Sequence, residues 1–426
     1  MLSARPKLDW AKLCFLTSCL FFVILFSFLF GFYSAAKETV VHSFISSLYS
    51  YAKQLPYGTP MTVNSEFQDS RGLYYFGSDV DPGFLLLSAY FPEEGRSGIK
   101  LVRLSDAQII KSWYPDPEQI RDLSDYDDFQ TEDRFEPQSP LLMPDGGLIF
   151  IDNQGPLVRI DACSEIEWIL DGRFHHSIEY GLDKTLFVPF VIQDSQMSWP
   201  FRFQEDAVAQ VSLDGRILGI TSVAEILLRD GYRGLLFGVT PLDWDPIHLN
   251  DVEIAQRTTR NWKRGDWLLS LRSRSAIVLY RPGTRRVVWL KLGPWALQHD
   301  PNFLDDGRIS IFGNDVLEIP GGGLRFLDGF SNVYLYDPET ALIETPYQAV
   351  FEKWKIRTPT QGKATILDDG DVFVEETDRG RLVRASPDRL EWSYYNTYRG
   401  EAGVLHWSRY MSAKDVSRVK FAKDCL

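Results

Sequence analysis

One eight-residue frame recurs along this chain, and each copy closes on a turn that opens a strand. His299 stands seven residues before Asp306-Gly307, after which Arg308 to Phe312 alternate polar and apolar. His176 stands seven residues before Asp183, ahead of the apolar run Thr185 to Phe190. The same frame without a histidine runs from Gln138 to Asp145, before Gly147 to Phe150, and from Gly362 to Asp369, before Asp371 to Val374. Short apolar segments of period two, bounded by Asp-Gly turns, signal antiparallel strands. Their recurrence signals one supersecondary unit used repeatedly, whose lead-in position sometimes carries an ionisable side chain.

Six units superpose, with ends near Trp113, Trp168, Ile220, Trp289, Ile343 and Trp392, at intervals of 55, 52, 69, 54 and 49 residues. Each offers an apolar strand, a turn, a second strand such as Gly155 to Asp161, Ser275 to Arg281 or Ser331 to Asp337, and a third ending in Trp or Ile. Arg379 to Ala385 is a looser copy of the second strand. A small antiparallel sheet cannot bury both faces alone and must stack on its neighbours, so a repeat of this length predicts an all-β fold, a six-bladed β-propeller. A β-sandwich with extra strands is the plainer alternative, and it leaves the recurring frame unexplained. Two stretches interrupt the period. Pro115 to Gln138 holds nine acidic residues and reads as a solvated loop, with a calcium site as the rival reading. Ser222 and Glu225 have capping-box spacing ahead of Ile226-Leu227-Leu228, which predicts a short helix inside the longest interval. Tyr410 to Leu426 is expected to form a closing helix on the outside.

Ahead of the repeats, Leu13 to Tyr33 are 21 residues without a charge, enough to cross a hydrocarbon layer as a helix. A cleaved signal peptide is the competing reading, but the apolar run is longer than such a core needs. Arg5, Lys7 and Lys12 precede the run against Asp9 alone, which keeps residues 1–12 cytoplasmic and the body extracytoplasmic. The expected division is a transmembrane helix over 13–33, a stalk helix and linker over 34–60, and the propeller over 61–426. The membrane is thus an expected partner, through that helix. A formal charge of −13 with no basic face excludes a nucleic-acid partner. Cys14 and Cys19 lie in the apolar run, so Cys163 and Cys425 allow at most one bridge, and unpaired, buried thiols are the expected state.

The chain has six histidines, and His175, His176, His248 and His299 all fall in lead-in segments. In a propeller, such segments from different blades converge at one mouth of the central channel. His42 and His406 lie outside the frames and are expected to be structural. His248 sits in Asp245 to Glu253, with a longer offset of 18 residues to Asp266. Arg272 and Arg274 alternate along what reads as one strand, which places both on one face. A buried cation there needs an anionic partner, and a carboxylate in the next blade is the plain reading of Arg272. Zinc would use neutral imidazoles oriented by Glu179, Glu253 or Asp300, but no HExxH or short-spaced ligand pair is present, so no metal is expected. Nucleophilic histidine catalysis fits better: one neutral imidazole attacks while the others and the arginine stabilise charge on the transferred group.

Phe174-His175-His176, the His248-Leu249-Asn250 core of the fourth lead-in, Gly265-Asp266 followed by Ser270-Leu271-Arg272, and Gln298-His299-Asp300-Pro301 followed by Phe312-Gly313-Asn314 resemble, in this order, the bacterial arylsulfotransferase family. The resemblance implies a six-bladed propeller that moves a sulfuryl group from an aryl sulfate donor to a phenolic or other hydroxyl acceptor, with neither a nucleotide donor nor a cofactor. It implies that His299 is sulfated on nitrogen, while His248, Arg272 and one of the histidine pair bind the sulfuryl oxygens and assist proton movement. The offset of seven favours His176 over His175, and His175, Asn250 and Arg274 are expected to contact substrate. The familiar members are soluble periplasmic enzymes, whereas this chain looks like a membrane-tethered relative. A non-catalytic propeller for binding or assembly on the membrane is the alternative from a different class, and a hydrolase using the same site is a third.

Overall fold

The computed structural model describes residues 10–36, 61–67, 69–126, 135–193, 203–238, 244–319 and 323–421. The chain divides into two compact units, Met1–Thr59 and Pro60–Leu426. In the first, the apolar stretch is part of one helix, Trp10–Ala36, whose described side chains are exposed. Those side chains span 17–31 and 33, and among the described residues no helix is long and apolar enough to cross a membrane. From residue 37, the stalk predicted over 34–60 lies outside the described residues.

The second unit is mostly β, with six antiparallel sheets of four or five strands following one another along the chain. The first takes Phe84–Phe91, Arg96–Arg103 and Gln108–Trp113, with Arg409–Met411 from the far end of the chain as its other edge. The second runs from Pro137–Leu142 to Ile166–Leu170, and the third from Arg173–Phe174 and Glu179–Tyr180 to Ile217–Ser222. The fourth runs from Leu249–Ile254 to Arg286–Leu292, and the fifth from His299–Phe303 to Ile343–Glu344. The sixth begins at Lys363–Ile366, and the early strand Gly72–Tyr75 adds to its last strand, Leu390–Tyr395. All six predicted unit ends, Trp113 to Trp392, fall in the fourth strand of a sheet.

Strand periodicity explains how the sheets associate. Leu85 and Leu87 point to one face of the first sheet and pack with Phe373, Leu382 and Trp392 of the sixth. Leu86, Ile99 and Leu101 point to the other face and meet Leu148, Phe150 and Val158 of the second. Ile149 and Ile151 then pack on the third sheet, Val208 of the third on the fourth, Ile277 of the fourth on the fifth, and Val333 of the fifth on the sixth. Each apolar face is therefore covered by the next sheet, and the sixth interface returns to the first. Full burial of such a Leu or Ile contributes about 1.5–3 kcal/mol, so these interfaces hold the ring of sheets together.

The frame is offset by one strand from its expected reading. The seven residues before each turn contain the edge strand themselves, as His299–Phe303 shows, and the strand opened by the turn is the second one, Ile309–Gly313. The edge strands escaped notice because bulges, such as the register shift between His299 and Asn302, break their alternation. The chain also closes by a strand, Arg409–Met411, with only the short helix Ala413–Val416 after it among the described residues. The predicted helix is present as Val223–Arg229, with Ser222 Oγ accepting from Glu225 N at 3.2 Å. Pro115 to Gln138 is not simply a loop: Asp116 caps the helix Pro117–Leu123, and 127–134 lie outside the described residues. Cys163 is disulfide-bonded, contrary to the expected free thiol.

Candidate active site

Each sheet's lead-in holds a non-glycine residue in the left-handed region. They are Trp407 (φ 62°), Ser139 (54°), His176 (63°), His248 (51°), Asp300 (48°) and Gln361 (52°), in sheet order. That conformation is uncommon for residues with a Cβ and persists only where the surroundings enforce it. It kinks the backbone at the same point of each sheet. Asp245 enforces it at His248, accepting from the backbone N of His248 at 2.9 Å.

Imidazoles from three sheets meet there. The ring of His176 lies 5.0 Å from that of His175, 5.1 Å from His248 and 6.2 Å from His299, between centroids. Each is oriented from behind. Asn314 donates through Nδ2 to the carbonyls of Thr358 (3.0 Å) and Gln361 (2.7 Å), so its Oδ1, 2.6 Å from His299 Nδ1, is an acceptor. The proton of His299 therefore sits on Nδ1 and the lone pair on Nε2. Asp245 Oδ2 holds His248 Nδ1 at 2.5 Å in the same sense. His175 and His176 share a 2.8 Å contact between their Nδ1 atoms, in which one must donate and the other accept.

Charge and burial favour the neutral rings of His175, His176 and His299. Burial, then the charge of Arg272, push His299 well below the usual imidazole range. Burial, with His175, His248, His299 and Arg272 around it, does the same to His176. His175 is pushed down to about 3 by burial and by His248. Burial alone would raise the Asp245 carboxyl, but His248 and its hydrogen bonds hold it low.

The two arginines part company. Strand Trp267–Leu271 ends before them and Arg272–Arg274 form a 3-10 turn, so they do not alternate along one strand face as expected. The backbone N of Arg272 donates to His248 O at 3.1 Å, and its charge reaches both His176 and His299. Arg274 donates instead to the carbonyls of Ser273 and Leu236, each at 3.3 Å. Asn250 is fully buried and ties two lead-ins together, donating to Gln298 O at 2.7 Å, while its Oδ1 has no hydrogen-bond partner among the described residues.

The expected carboxylate orienters do other work. Glu179 pairs with Arg409 at 3.1 Å, Asp300 with Lys363 at 2.9 Å, and Glu253 accepts from Phe303 N at 2.5 Å. The actual orienters, Asp245 and Asn314, were visible only as members of the quoted motifs: an acid three residues before one histidine, and an amide just after the strand that follows another. Among the described residues no group of three or more His, Cys, Asp or Glu is arranged to hold a metal ion.

Residues 142–396, more than half of the chain and including His176, His248, Arg272 and His299, match the model of the arylsulfotransferase (ASST) family. No curated protein matches the chain in sequence. Among solved structures, the chain is similar to a protein of unknown function from Bacteroides caccae, at 12% identity and TM-score 0.49, over 78% of this chain and 99% of that one. It is also similar to streptogramin B lyase, at 12% identity and TM-score 0.40, over 77% of this chain and 88% of that one. Likenesses this distant carry no argument about chemistry.

Proposed function

This chain belongs to the arylsulfotransferase (ASST) family, and on that premise we propose that it transfers a sulfuryl group from an aryl sulfate to a hydroxyl acceptor through a sulfohistidine at His299. The observation that carries the reading is the gathering of His176, His248 and His299 around one point, with ring centroids 5.1 and 6.2 Å from His176 and the charge of Arg272 beside them. The Nε2 lone pair of His299 attacks sulfur, the N–S bond forms, and the S–O bond to the aryl group breaks with its electron pair leaving on oxygen. In the second half-reaction the acceptor hydroxyl yields its proton to the imidazole of His176 or His248, and its oxygen attacks sulfur. The N–S pair then returns to Nε2. Arg272 and the histidines not in covalent use stabilise the sulfuryl oxygens, whose charge is greatest in the transition state. His175 acts behind His176, Asn250 orders the lead-ins, and Arg274 stands outside the contacts to the transferred group.

The cyclic packing of the six sheets supports a closed six-bladed propeller, with the histidines at one mouth of its channel. The charge-free run Leu13 to Tyr33 and the basic residues ahead of it support a single-pass anchor with the propeller on the periplasmic side. Protease treatment of spheroplasts and of lysed cells tests that side: a body cut equally in both lies outside the inner membrane, and a body cut only after lysis places it in the cytoplasm.

The test of the chemistry is turnover of 4-nitrophenyl sulfate by the full chain with phenol as acceptor. Nitrophenolate release in ping-pong order is expected, with an acid-labile sulfuryl label on His299, and His299→Ala should lower kcat/KM by more than about 1000-fold, the scale for loss of a nucleophile. A His299→Ala protein as active as the wild type removes His299 from the chemistry. A folded wild type without turnover leaves the binding or assembly reading.

A further inference from the structure

Trp407 stands outside the residues matched by the family model, yet it belongs to the same site. Its ring centroid is 5.8 Å from His176 and 6.0 Å from His299, which are 6.2 Å from each other. The three rings form a nearly equilateral triangle, and each comes from the lead-in of a different sheet. Trp407 is fully buried, and its indole N–H has no hydrogen-bond partner among the described residues. A desolvated donor without an acceptor is a cost that folded proteins avoid.

The indole is also held in place at some expense. Trp407 is in the left-handed region at φ 62°, where a bulky side chain is an outlier. Glu375 of the sixth sheet fixes it there, accepting from the backbone N of Trp407 at 2.9 Å and from that of Ser408 at 2.5 Å. Strain maintained by a buried carboxylate, at the point where two candidate sulfuryl-binding histidines meet, marks a placed functional group more than a filler of core volume. Trp262, Trp289 and Trp295 likewise lack partners for their N–H groups, but they pack with the apolar core between the fourth and fifth sheets. Of these four tryptophans, only Trp407 combines the unpartnered N–H with ring contacts to the histidines.

We propose that Trp407 is a substrate-contacting residue, whose indole N–H donates to an oxygen of the sulfuryl group bound between His176 and His299. The inference rests on the sulfuryl-transfer reading above and adds a donor supplied by the lead-in to the strand Arg409–Met411, so that the anion site is complete only when that strand has docked. A neutral donor suits the position, because Lys363 Nζ already lies 5.7 Å from the indole centroid and is paired with Asp300 at 2.9 Å.

Two measurements on the full chain test it. Trp407→Phe keeps an aromatic ring and removes the N–H, and should lower kcat/KM for 4-nitrophenyl sulfate by about 10- to 100-fold, as expected for one hydrogen bond to a charged group. If that variant folds poorly, replacing Trp407 with 3-benzothienylalanine removes the N–H within nearly the same shape, and the same loss is expected. In protein labelled with 15N at its indoles, added inorganic sulfate should shift the Trp407 N–H resonance, assigned with either variant, and leave those of Trp262, Trp289 and Trp295 in place. Unchanged turnover in a folded variant, or a Trp407 resonance that ignores sulfate, overturns the proposal and leaves sulfuryl transfer intact. A wild type that shifts the resonance without transferring the group keeps the indole contact and removes the transfer reading.

Discussion

At the scale of single residues, the site turns on which ring nitrogen carries a proton. Asn314 settles this for His299 by presenting an acceptor to Nδ1 while its own donors are taken by Thr358 O and Gln361 O. With the imidazole held below its ordinary range by burial and by Arg272, the Nε2 lone pair persists as pH falls past about 6.5, where a free histidine would protonate. The acid limb of kcat/KM should therefore lie below that value in the wild type. Asn314→Asp places a carboxylate against the same ring, favours the imidazolium, and should move the limb upward, so that the activity ratio between pH 8 and pH 5.5 grows by about tenfold or more. A pH profile with the wild-type limb would show that Asn314 does not tune the His299 ring. Linkage has the same direction for stability. The unfolded chain takes up protons below about 6.5 that His175, His176 and His299 refuse, so their contribution weakens as pH falls from there toward about 3, the value for His175. The histidines and Arg272 were readable because they are rare residue types in recurring motifs. Asp245 and Asn314 were not, because a second row of polar groups has no spacing of its own and is defined by what it touches.

At the scale of elements, legibility followed regularity. The second and third strands pair without a register shift in every sheet, since one face meets each neighbouring sheet, and their count and order could be read directly. The edge strands could not, because a left-handed residue lies in or just ahead of each, and three of them carry register shifts, after Gln138, Leu249 and His299. The same irregularity brings the histidines of neighbouring sheets together, so the least legible segments are those that carry the candidate site. Arg274 was misplaced for a related reason: a 3-10 turn and a strand differ in period, and three residues are too few to distinguish them. The capped helix Val223–Arg229 shows the opposite case, where a local signal suffices. Its Ser222 cap satisfies the N–H of Glu225. Ser222→Ala should cost about 1 kcal/mol in urea unfolding and leave turnover of an aryl sulfate unchanged. An unchanged midpoint would mean that tertiary packing of Ile226 and Leu227, both buried in the third interface, holds the helix without its cap.

At the scale of the whole molecule, the two ends of the folded body meet at one interface, and this makes the last strand a structural lock. Gly72–Tyr75 adds to the sixth sheet and Arg409–Met411 to the first, so the interface that completes the cycle is reached from both directions. Arg409 extends the lock inward. It donates to Pro140 O at 3.1 Å, Ile178 O at 2.6 Å, Ser139 Oγ at 3.2 Å and Glu179 Oε1 at 3.1 Å, tying the first sheet to the second and third lead-ins. Burial would raise the Glu179 carboxyl, and the charges of Arg409 and Lys363 hold it down. Arg409→Met should therefore destabilise the fold by about 3–5 kcal/mol, mostly because Glu179 is left with Lys363 alone at 3.7 Å. Adding Glu179→Gln removes that stranded charge, so the double variant should recover part of the loss, with a coupling of about 0.5–3 kcal/mol between the two sites. Urea unfolding of the wild type, both single variants and the double variant measures it. Additive losses would mean that Arg409 acts through its carbonyl contacts and that the ion pair adds nothing to closure. A measured coupling would instead place a charge pair across the sheets among the forces that complete the ring, alongside the apolar interfaces that fill it.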